Sequence, residues 1–402
     1  MNWELHQLLG LNAPTFLATI VLTILMASAG IVLYLVSQRG IRRLRVRRYE
    51  ALAFEIHKQW REIVRGEVPP EVWRKDAVKG EIIRSIVIQE IGATTDKDRA
   101  SLQEFLRNNG LVETCIGSVH RERGLKRRRA MLALGAMRIP EAIAPLAEGL
   151  DDWQLDTRMA AIQALGATGL PAAAAPIIES LMVGALKLPA SPVEIALVQC
   201  FADHAGDLMP YLRRSLGGAR EMLARVAAEI ATASMADEMM VLSKDLDPEI
   251  RACAARALAM APLTIAIPML ADLVRDEIWF VRLRATSSLK DIFHPRTIPI
   301  LLDAVRDPNR QVRIRAASAL SSFERDRVLI LQTVVDSRDR YALHSIISAL
   351  ELSGGLSKIM EELSDPLLHD EAAERLLTAI REGIASLWST RPESPVVETV
   401  FP

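Results

Sequence analysis

Arginine and aspartate recur at a fixed spacing along this 402-residue chain, and ion pairing is the chemistry that their spacing predicts. Five arginines stand 31 residues, or a multiple of 31, apart: Arg127, Arg158, Arg251, Arg282 and Arg313. Four of them follow an aspartate by six residues, at Asp152, Asp245, Asp276 and Asp307. Because opposite charges at a constant offset attract one another, we expect an Asp–Arg ladder that runs from repeat to repeat.

Residue types that support catalysis or metal binding form no recognised motif in the sequence. The seven histidines are scattered and make no HExxH or other close ligand pair, and no GxSxG or phosphate-binding loop occurs. Cys115, Cys200 and Cys253 are too far apart for a CxxC motif, which favours a reducing compartment. We therefore expect no catalytic residue, no cofactor and no metal, and we interpret the chain as a non-enzyme.

Composition favours helices and argues against nucleic acid as a partner. Half of the residues are hydrophobic but only 4% are aromatic, which is unlike a strand-rich protein. The net charge is −1, whereas a nucleic-acid binder would carry a basic excess. The charge is uneven: residues 39–129 carry 22 basic and 13 acidic side chains, and residues 130–402 carry 27 and 36.

An uncharged segment near the N-terminus predicts a membrane span. Residues 15–36 contain no charged side chain, and a helix of this length is about 33 Å long, which matches the hydrocarbon core of a bilayer. We place a transmembrane helix at 15–37, after a short extracytoplasmic N-terminus at 1–14. A signal peptide cleaved after Ala27-Ser28-Ala29 and a buried helix are the alternatives. The first lacks a basic n-region, and its apolar run continues past that site.

Arginines on one side of this segment predict its orientation. Six of them follow it directly: Arg39, Arg42, Arg43, Arg45, Arg47 and Arg48. No basic side chain precedes it, so the positive-inside rule places the N-terminus outside and the rest of the chain in the cytoplasm. We therefore expect a single-pass protein of the inner (cytoplasmic) membrane, with these arginines against its anionic surface.

Residues 38–119 predict a basic juxtamembrane region of separate helices. Helical spacing of apolar residues predicts one helix at 49–65 and another at 71–91, and Asp96 is a candidate cap for a third. A second basic cluster follows: Arg121, Arg123, Lys126, Arg127, Arg128 and Arg129. This cluster is either a solvated helix face or a contact for anionic headgroups or an acidic protein surface.

The 31-residue period predicts a solenoid of helix pairs at 120–355. We call the arginines that share this period the column arginines. A leucine seven residues after each of the five named above repeats as well, at Leu134, Leu165, Leu258, Leu289 and Leu320. Asp247-Pro248 and Asp307-Pro308 predict N-caps of second helices, and the step near residue 189 is degenerate. Alanine triplets such as Ala316, Ala317 and Ala319 would let neighbouring helices approach closely.

These repeats resemble the short HEAT repeat named for phycobilisome lyases, and ILLDAVRDPNRQVRIRAASAL at 300–320 carries the likeness best. The resemblance implies an all-α chain in which one transmembrane helix precedes a right-handed α-solenoid of HEAT-like helix pairs. It implies no lyase activity, because the sequence offers no site for it. The layout is also similar to bacterial membrane-anchored HEAT proteins that accompany membrane glycosyltransferases in envelope or exopolysaccharide synthesis.

Few residues in the repeats have the character of partner anchors. Trp153, Trp279 and Phe280 are large aromatics near the starts of second helices, and they either pack against the next repeat or contact a partner. Arg310 and Arg315 are further candidates for partner binding, against the alternative of a solvated face. A helical cap at 356–388 and a flexible tail at 389–402 complete the chain.

The sequence as a whole predicts a membrane-anchored cytoplasmic scaffold that binds and positions a protein partner. A ligand-sensing regulator is the first alternative, and an enzyme with a site in residues 49–120 is the second. We expect a membrane-associated protein partner and no nucleic acid.

Overall fold

The computed structural model describes residues 13–64, 77–93, 96–184, 189–364 and 371–389, and all regular secondary structure in these ranges is helical. The all-α prediction is therefore confirmed. The chain divides into two compact units, Met1–Ser118 and Val119–Pro402.

The first unit contains α1 (Ala13–Val64), α2 (Ala77–Ala93) and α3 (Asp96–Asn108), and α4 (Leu111–Arg121) begins in it. α1 continues from the apolar segment through the arginines, so the helix predicted at 49–65 is the C-terminal part of α1, which ends at Val64, rather than a separate helix. The arginine-rich stretch contains no proline and one glycine, so nothing in it stops a helix. Within α1, Leu17–Arg39 is long and apolar enough to cross a membrane, by length and composition alone.

The core of the first unit comes from one side of α2, as predicted. Its buried side chains are Ile82, Ile83, Ile86, Val87 and Ile91. Residues 71–76, which were expected to begin this helix, lie outside the described residues. α3 begins at Asp96, as expected, and Gly110 takes a positive φ of 67° in the turn that follows it.

The second unit is a succession of paired helices that end in a helical cap. The first helices of the pairs are α6 (Ile143–Ala147), α8 (Pro171–Met182), α10 (Met209–Arg214), α12 (Ala236–Leu242), α14 (Leu263–Leu273), α16 (Ile298–Ala304) and α18 (Arg327–Asp336). The second helices are α5 (Gly124–Ala136), α7 (Leu155–Thr168), α9 (Ala190–Phe201), α11 (Gly217–Glu229), α13 (Pro248–Ala257), α15 (Trp279–Ile292), α17 (Arg310–Leu320) and α19 (Arg340–Leu352). α20 (Gly355–Leu363) and α21 (Glu371–Ser389) follow them.

Each second helix packs against the second helix of the next pair, which makes a solenoid. The five column leucines are all buried between these helices, and so are Ala316, Ala317 and Ala319. The closest approaches are at two glycines. A Cβ atom on Gly135 would overlap the carbonyl group of Ala164, and one on Gly166 would lie 2.7 Å from the Cα atom of Ala196.

The degenerate third step has a simple structural explanation. Column arginines stand three residues after the first residue of their helices, as Arg158 does in α7 and Arg220 does in α11. α9 begins at Ala190, so Val193 takes the equivalent position, four residues after 189. The period returns at Arg220 because Arg220 stands only 27 residues after Val193.

One of the two predicted aspartate caps is correct. The Asp247 side chain accepts a hydrogen bond from the Glu249 N–H at the start of α13, as predicted. The prediction for Asp307 was wrong, because α17 begins at Arg310 and Asn309 caps it by accepting from the Gln311 N–H. Asp307 lies two residues before this cap and pairs with Arg282 instead.

Candidate protein-interaction surface

The Asp–Arg ladder predicted from the spacing is present. Each rung joins a column arginine to the aspartate 25 residues later, in the turn before the next second helix. The four rungs are Arg127–Asp152 (2.5 Å), Arg220–Asp245 (2.5 Å), Arg251–Asp276 (2.7 Å) and Arg282–Asp307 (2.6 Å). The ladder therefore fixes four repeats, those of Arg127, Arg220, Arg251 and Arg282, to the repeats that follow them.

The rung at Arg251 shows how the guanidinium is used. Its Nη1 donates to the carbonyl groups of Asp245 and Leu246, in the turn before its own helix. Its Nε and Nη2 donate to the two carboxylate oxygens of Asp276, at 2.7 and 3.0 Å. Arg282 makes the same arrangement with Asp307. This bidentate geometry is the strongest form of an arginine–carboxylate hydrogen bond.

The Arg251–Asp276 rung is largely buried, and its hydrogen bonds shift the pKa values of both members. The Arg251 and Asp276 side chains are only 10% and 8% exposed. Burial alone would raise the pKa of Asp276, but hydrogen bonds from Arg251 and from the Ile278 N–H hold it below its usual value. Hydrogen bonding to Asp276 likewise raises the pKa of Arg251. These charges hold neighbouring repeats together.

The second basic cluster divides into paired and free side chains. Arg127 belongs to the ladder, Arg128 pairs with Asp156 at 2.7 Å, and Lys126 lies 3.8 Å from Glu122. The remaining three members, Arg121, Arg123 and Arg129, are exposed. Lys126 is itself 79% exposed, so four cations of this cluster face solvent and two are held in ion pairs.

The arginines after the apolar segment all lie on α1. Arg39, Arg43, Arg47 and Arg48 are exposed. The side chains of Arg42 and Arg45 lie outside the described residues.

Large apolar side chains stand exposed in the turns that precede second helices. Trp153 is 84% exposed, so it does not pack against the next repeat. Leu246, which sequence reasoning missed, occupies the equivalent position before α13 and is 98% exposed. Leu246 could have been found from the sequence, because it follows a ladder aspartate by one residue, as Trp153 does.

The other candidate anchors lie on the helices themselves. Trp279 is 45% exposed at the first residue of α15 and meets the half-buried Phe280 edge to face, with ring centres 6.1 Å apart. Arg310 and Arg315 are both exposed on α17. The structure therefore places the aromatic candidates in two separate repeats, Trp153 before α7 and the Trp279–Phe280 pair on α15.

The cysteines have the chemistry of structural thiols. All three are free, and burial raises the pKa of Cys200 to about 12 and that of Cys253 to about 11. Both thiols therefore stay protonated at neutral pH and are weak nucleophiles. In the part of the chain that the structure describes, no three His, Cys, Asp or Glu side chains cluster as metal ligands would.

Comparison with known protein families agrees with the repeat architecture. Residues 119–184 match the family model described as HEAT repeats. The matched segment runs from the end of α4 to the end of α8 and includes the column residues Arg127 and Arg158. The match concerns the repeat, and it gives no support to the phycobilisome-lyase type or to association with glycosyltransferases. Comparison with curated proteins gives no match.

Solved structures that resemble the chain do so at low identity. An engineered protein is 17% identical, with 75% of this chain and 96% of that chain covered and a TM-score of 0.32. YibA of Escherichia coli is 18% identical, with 68% and 96% covered and a TM-score of 0.33. Kap121p bound to the extreme C-terminus of the protein phosphatase Cdc14p is 13% identical, with 78% and 46% covered and a TM-score of 0.38. These likenesses carry no conclusion about function.

Proposed function

We propose that this protein is a membrane-anchored, non-catalytic scaffold whose HEAT-like repeats bind a protein partner near the bilayer. The observation that carries the proposal is the exposure of Trp153 and Leu246 at equivalent turn positions. Repeat packing leaves both side chains in water, although each could bury enough apolar surface to anchor an interface. The ladder supports the proposal because Asp152 and Asp245, which precede Trp153 and Leu246, are each held by an arginine of the preceding repeat.

The membrane part of the proposal is supported by α1. Its segment Leu17–Arg39 has the length and composition of a span, and four described arginines between 39 and 48 are exposed on its C-terminal side. This arrangement fits a cytoplasmic solenoid held at the inner membrane. Because the layout is similar to that of HEAT proteins that accompany membrane glycosyltransferases, such an enzyme is the first partner to seek.

Topology is tested with a reporter fused to the C-terminus. We expect activity of a cytoplasmic reporter, retention in membranes after a carbonate wash, and partial inversion when Arg43, Arg47 and Arg48 are replaced by alanine. A reporter found outside the cytoplasm, or released by the wash, would contradict the anchored topology.

Partner binding is tested by purification of the full chain from its native membranes in mild detergent, with identification of the bound proteins. We expect a stoichiometric partner with the wild type and about tenfold less of it with the Trp153→Ala/Leu246→Ala variant, because anchors at an interface carry most of its binding energy. Leu329→Ala, which truncates an exposed apolar side chain on α18, is the matched control and should retain the partner. Unchanged recovery with the double variant, at unchanged thermal stability, would show that these turns are not the interface.

A further inference from the structure

The last arginine of the column, Arg313, has no aspartate to bind. Ladder aspartates stand three residues before the first residue of the next second helix, as Asp276 does before Trp279. The residue at this position before α19 is Ser337. Arg313 Nη1 still donates to the carbonyl groups of Asp307 and Pro308, at 2.8 and 2.9 Å, as in the other repeats. Its guanidinium is thus held as in a rung whose carboxylate is missing.

The unused edge of this guanidinium is partly desolvated. Arg313 Nε is buried and has no hydrogen-bond partner among the described residues. The equivalent atom of Arg251 and of Arg282 donates to a carboxylate. The guanidinium carbon lies 5.2 Å from the centre of the Tyr341 ring, which supports the cation from one face. In the described part of the chain, Arg127 Nε is also buried without a partner although Arg127 binds Asp152, so the feature particular to Arg313 is a partly buried charge without a carboxylate, which an external anion would pair.

Arg313 lines a cavity of about 730 Å³ formed by α15, α17 and α19. Lys290 and Arg310 line the same cavity, and no acidic side chain does. Lys290 Nζ donates to the Ser318 hydroxyl at 3.0 Å, which places this ammonium group toward α17. Three permanent cations without a lining carboxylate give the cavity a strongly positive potential.

His344, hydroxyl groups and a few apolar side chains form the rest of the lining. The serines are Ser318, Ser321, Ser322, Ser345, Ser348 and Ser353. Ser345 and Ser353 donate to carbonyl groups of their own helix, at 2.8 and 3.1 Å, so their oxygens keep lone pairs for a ligand hydroxyl. Ile314, Ala349 and Leu352 add apolar surface. Such a lining suits a small organic molecule with an anionic group and hydroxyls.

Nearby acids do not neutralise Arg313. Asp307 and Asp339 line a separate cavity that shares Arg313 and Tyr341. The Asp307 carboxylate is held by Arg282 at 2.6 Å, and the Asp339 carboxylate caps α19 by accepting from the Tyr341 and Ala342 N–H groups. Among the described residues, no acid lies within ion-pair distance of Arg313.

We propose that this cavity binds a small organic phosphate, with the Arg313 guanidinium donating to its oxygens and with Lys290 and Arg310 beside it. A phosphate monoester carries a charge of about −1.5 to −2, which matches three cations better than a single carboxylate does. A volume of about 730 Å³ is in the usual range for small-ligand sites. The site goes beyond the scaffold proposal and does not depend on it, because neither the membrane segment nor Trp153 contributes to it.

Binding is measured by calorimetry and thermal unfolding of the full chain in detergent, with glucose 6-phosphate, glycerol 3-phosphate, adenosine monophosphate and inorganic phosphate as probes. We expect at least one organic phosphate to bind and to raise the unfolding temperature, whereas glucose should do neither. Arg313→Gln should weaken binding about thirtyfold, since it removes a charged hydrogen-bonding contact. Arg315→Gln, on the same helix but outside the cavity, is the control and should leave binding unchanged.

A second variant tests the missing rung directly. Ser337→Asp supplies the carboxylate that the other repeats place at this position, so it should raise the unfolding temperature and weaken phosphate binding about tenfold or more. Ser337→Asn, of similar size but uncharged, should do neither. The proposal is overturned if no organic phosphate binds, if gluconate binds as tightly as glucose 6-phosphate, or if Ser337→Asp leaves binding unchanged.

Discussion

Gly135→Ala and Gly166→Ala are each expected to lower the free energy of unfolding by about 2 kcal/mol, which is the usual cost of overpacking a tight interior. This sign is the reverse of the usual effect, because glycine within a helix is normally about 1 kcal/mol worse than alanine. Both glycines face the backbone of the next second helix, where a Cβ atom has no space. The two helices would have to separate along their whole contact.

The matched control is Gly218→Ala in α11, where a Cβ atom would meet nothing within 4 Å. We expect this variant to be neutral or slightly stabilising, as measured by urea unfolding of the three variants beside the wild type. Equal stabilisation by Gly166→Ala and Gly218→Ala would show that α7 and α9 are not in such close contact.

Loss of a ladder aspartate is the second change with a large expected effect. Asp276→Ala should lower the free energy of unfolding by about 3 kcal/mol, because it leaves the buried Arg251 guanidinium without its counter-charge. The control is Asp303→Ala, since the Arg275–Asp303 pair is 67% and 57% exposed and should contribute less than about 1 kcal/mol. Similar losses in the two variants would mean that burial does not distinguish the ladder from surface pairs.

Lowering the pH provides an independent measurement of how much an ionised ladder aspartate stabilises the fold. The folded-state pKa values of Asp245 and Asp276 lie below their usual range, so their contribution to stability is complete above about pH 4 and is lost as the pH falls through the folded-state values. We therefore expect the difference in stability between the wild type and Asp276→Asn to shrink as the pH falls from about 5 to about 2. A difference that stays constant over this range would show that ionisation of Asp276 does not stabilise the fold.

The ladder could be predicted from the sequence because a repeated contact needs a repeated spacing. Arg251 and Asp276 are 25 residues apart, which is the 31-residue period less the six-residue offset between aspartate and arginine. The helical cores could be predicted for the same reason. The start of α9 could not be predicted. Its four-residue shift is reversed by Arg220, so the arginines on either side of it keep the 31-residue period.

The interaction surface was only partly predictable, since exposure is decided by how neighbouring repeats pack. Trp153 and Phe280 are both aromatics beside a second-helix start, yet the first is in solvent and the second is half-buried. The cavity at Arg313 was missed for a different reason. Its signal is Ser337, which takes the structural position of a ladder aspartate but stands 24 rather than 25 residues after Arg313, so it becomes visible only after the partner of each arginine is known.

The ladder also bears on how a chain of this kind could change in length. Every rung joins the same two residue types across the same interval, so the joints between these repeats are alike, although the guanidinium nitrogens that they use differ. Gain or loss of a 31-residue segment between two rungs, for example between Arg251 and Arg282, would reunite an arginine with an equivalent aspartate. A segment of any other length would leave a cation without its acid. Duplication in whole repeats is therefore the route to a longer solenoid that preserves these contacts.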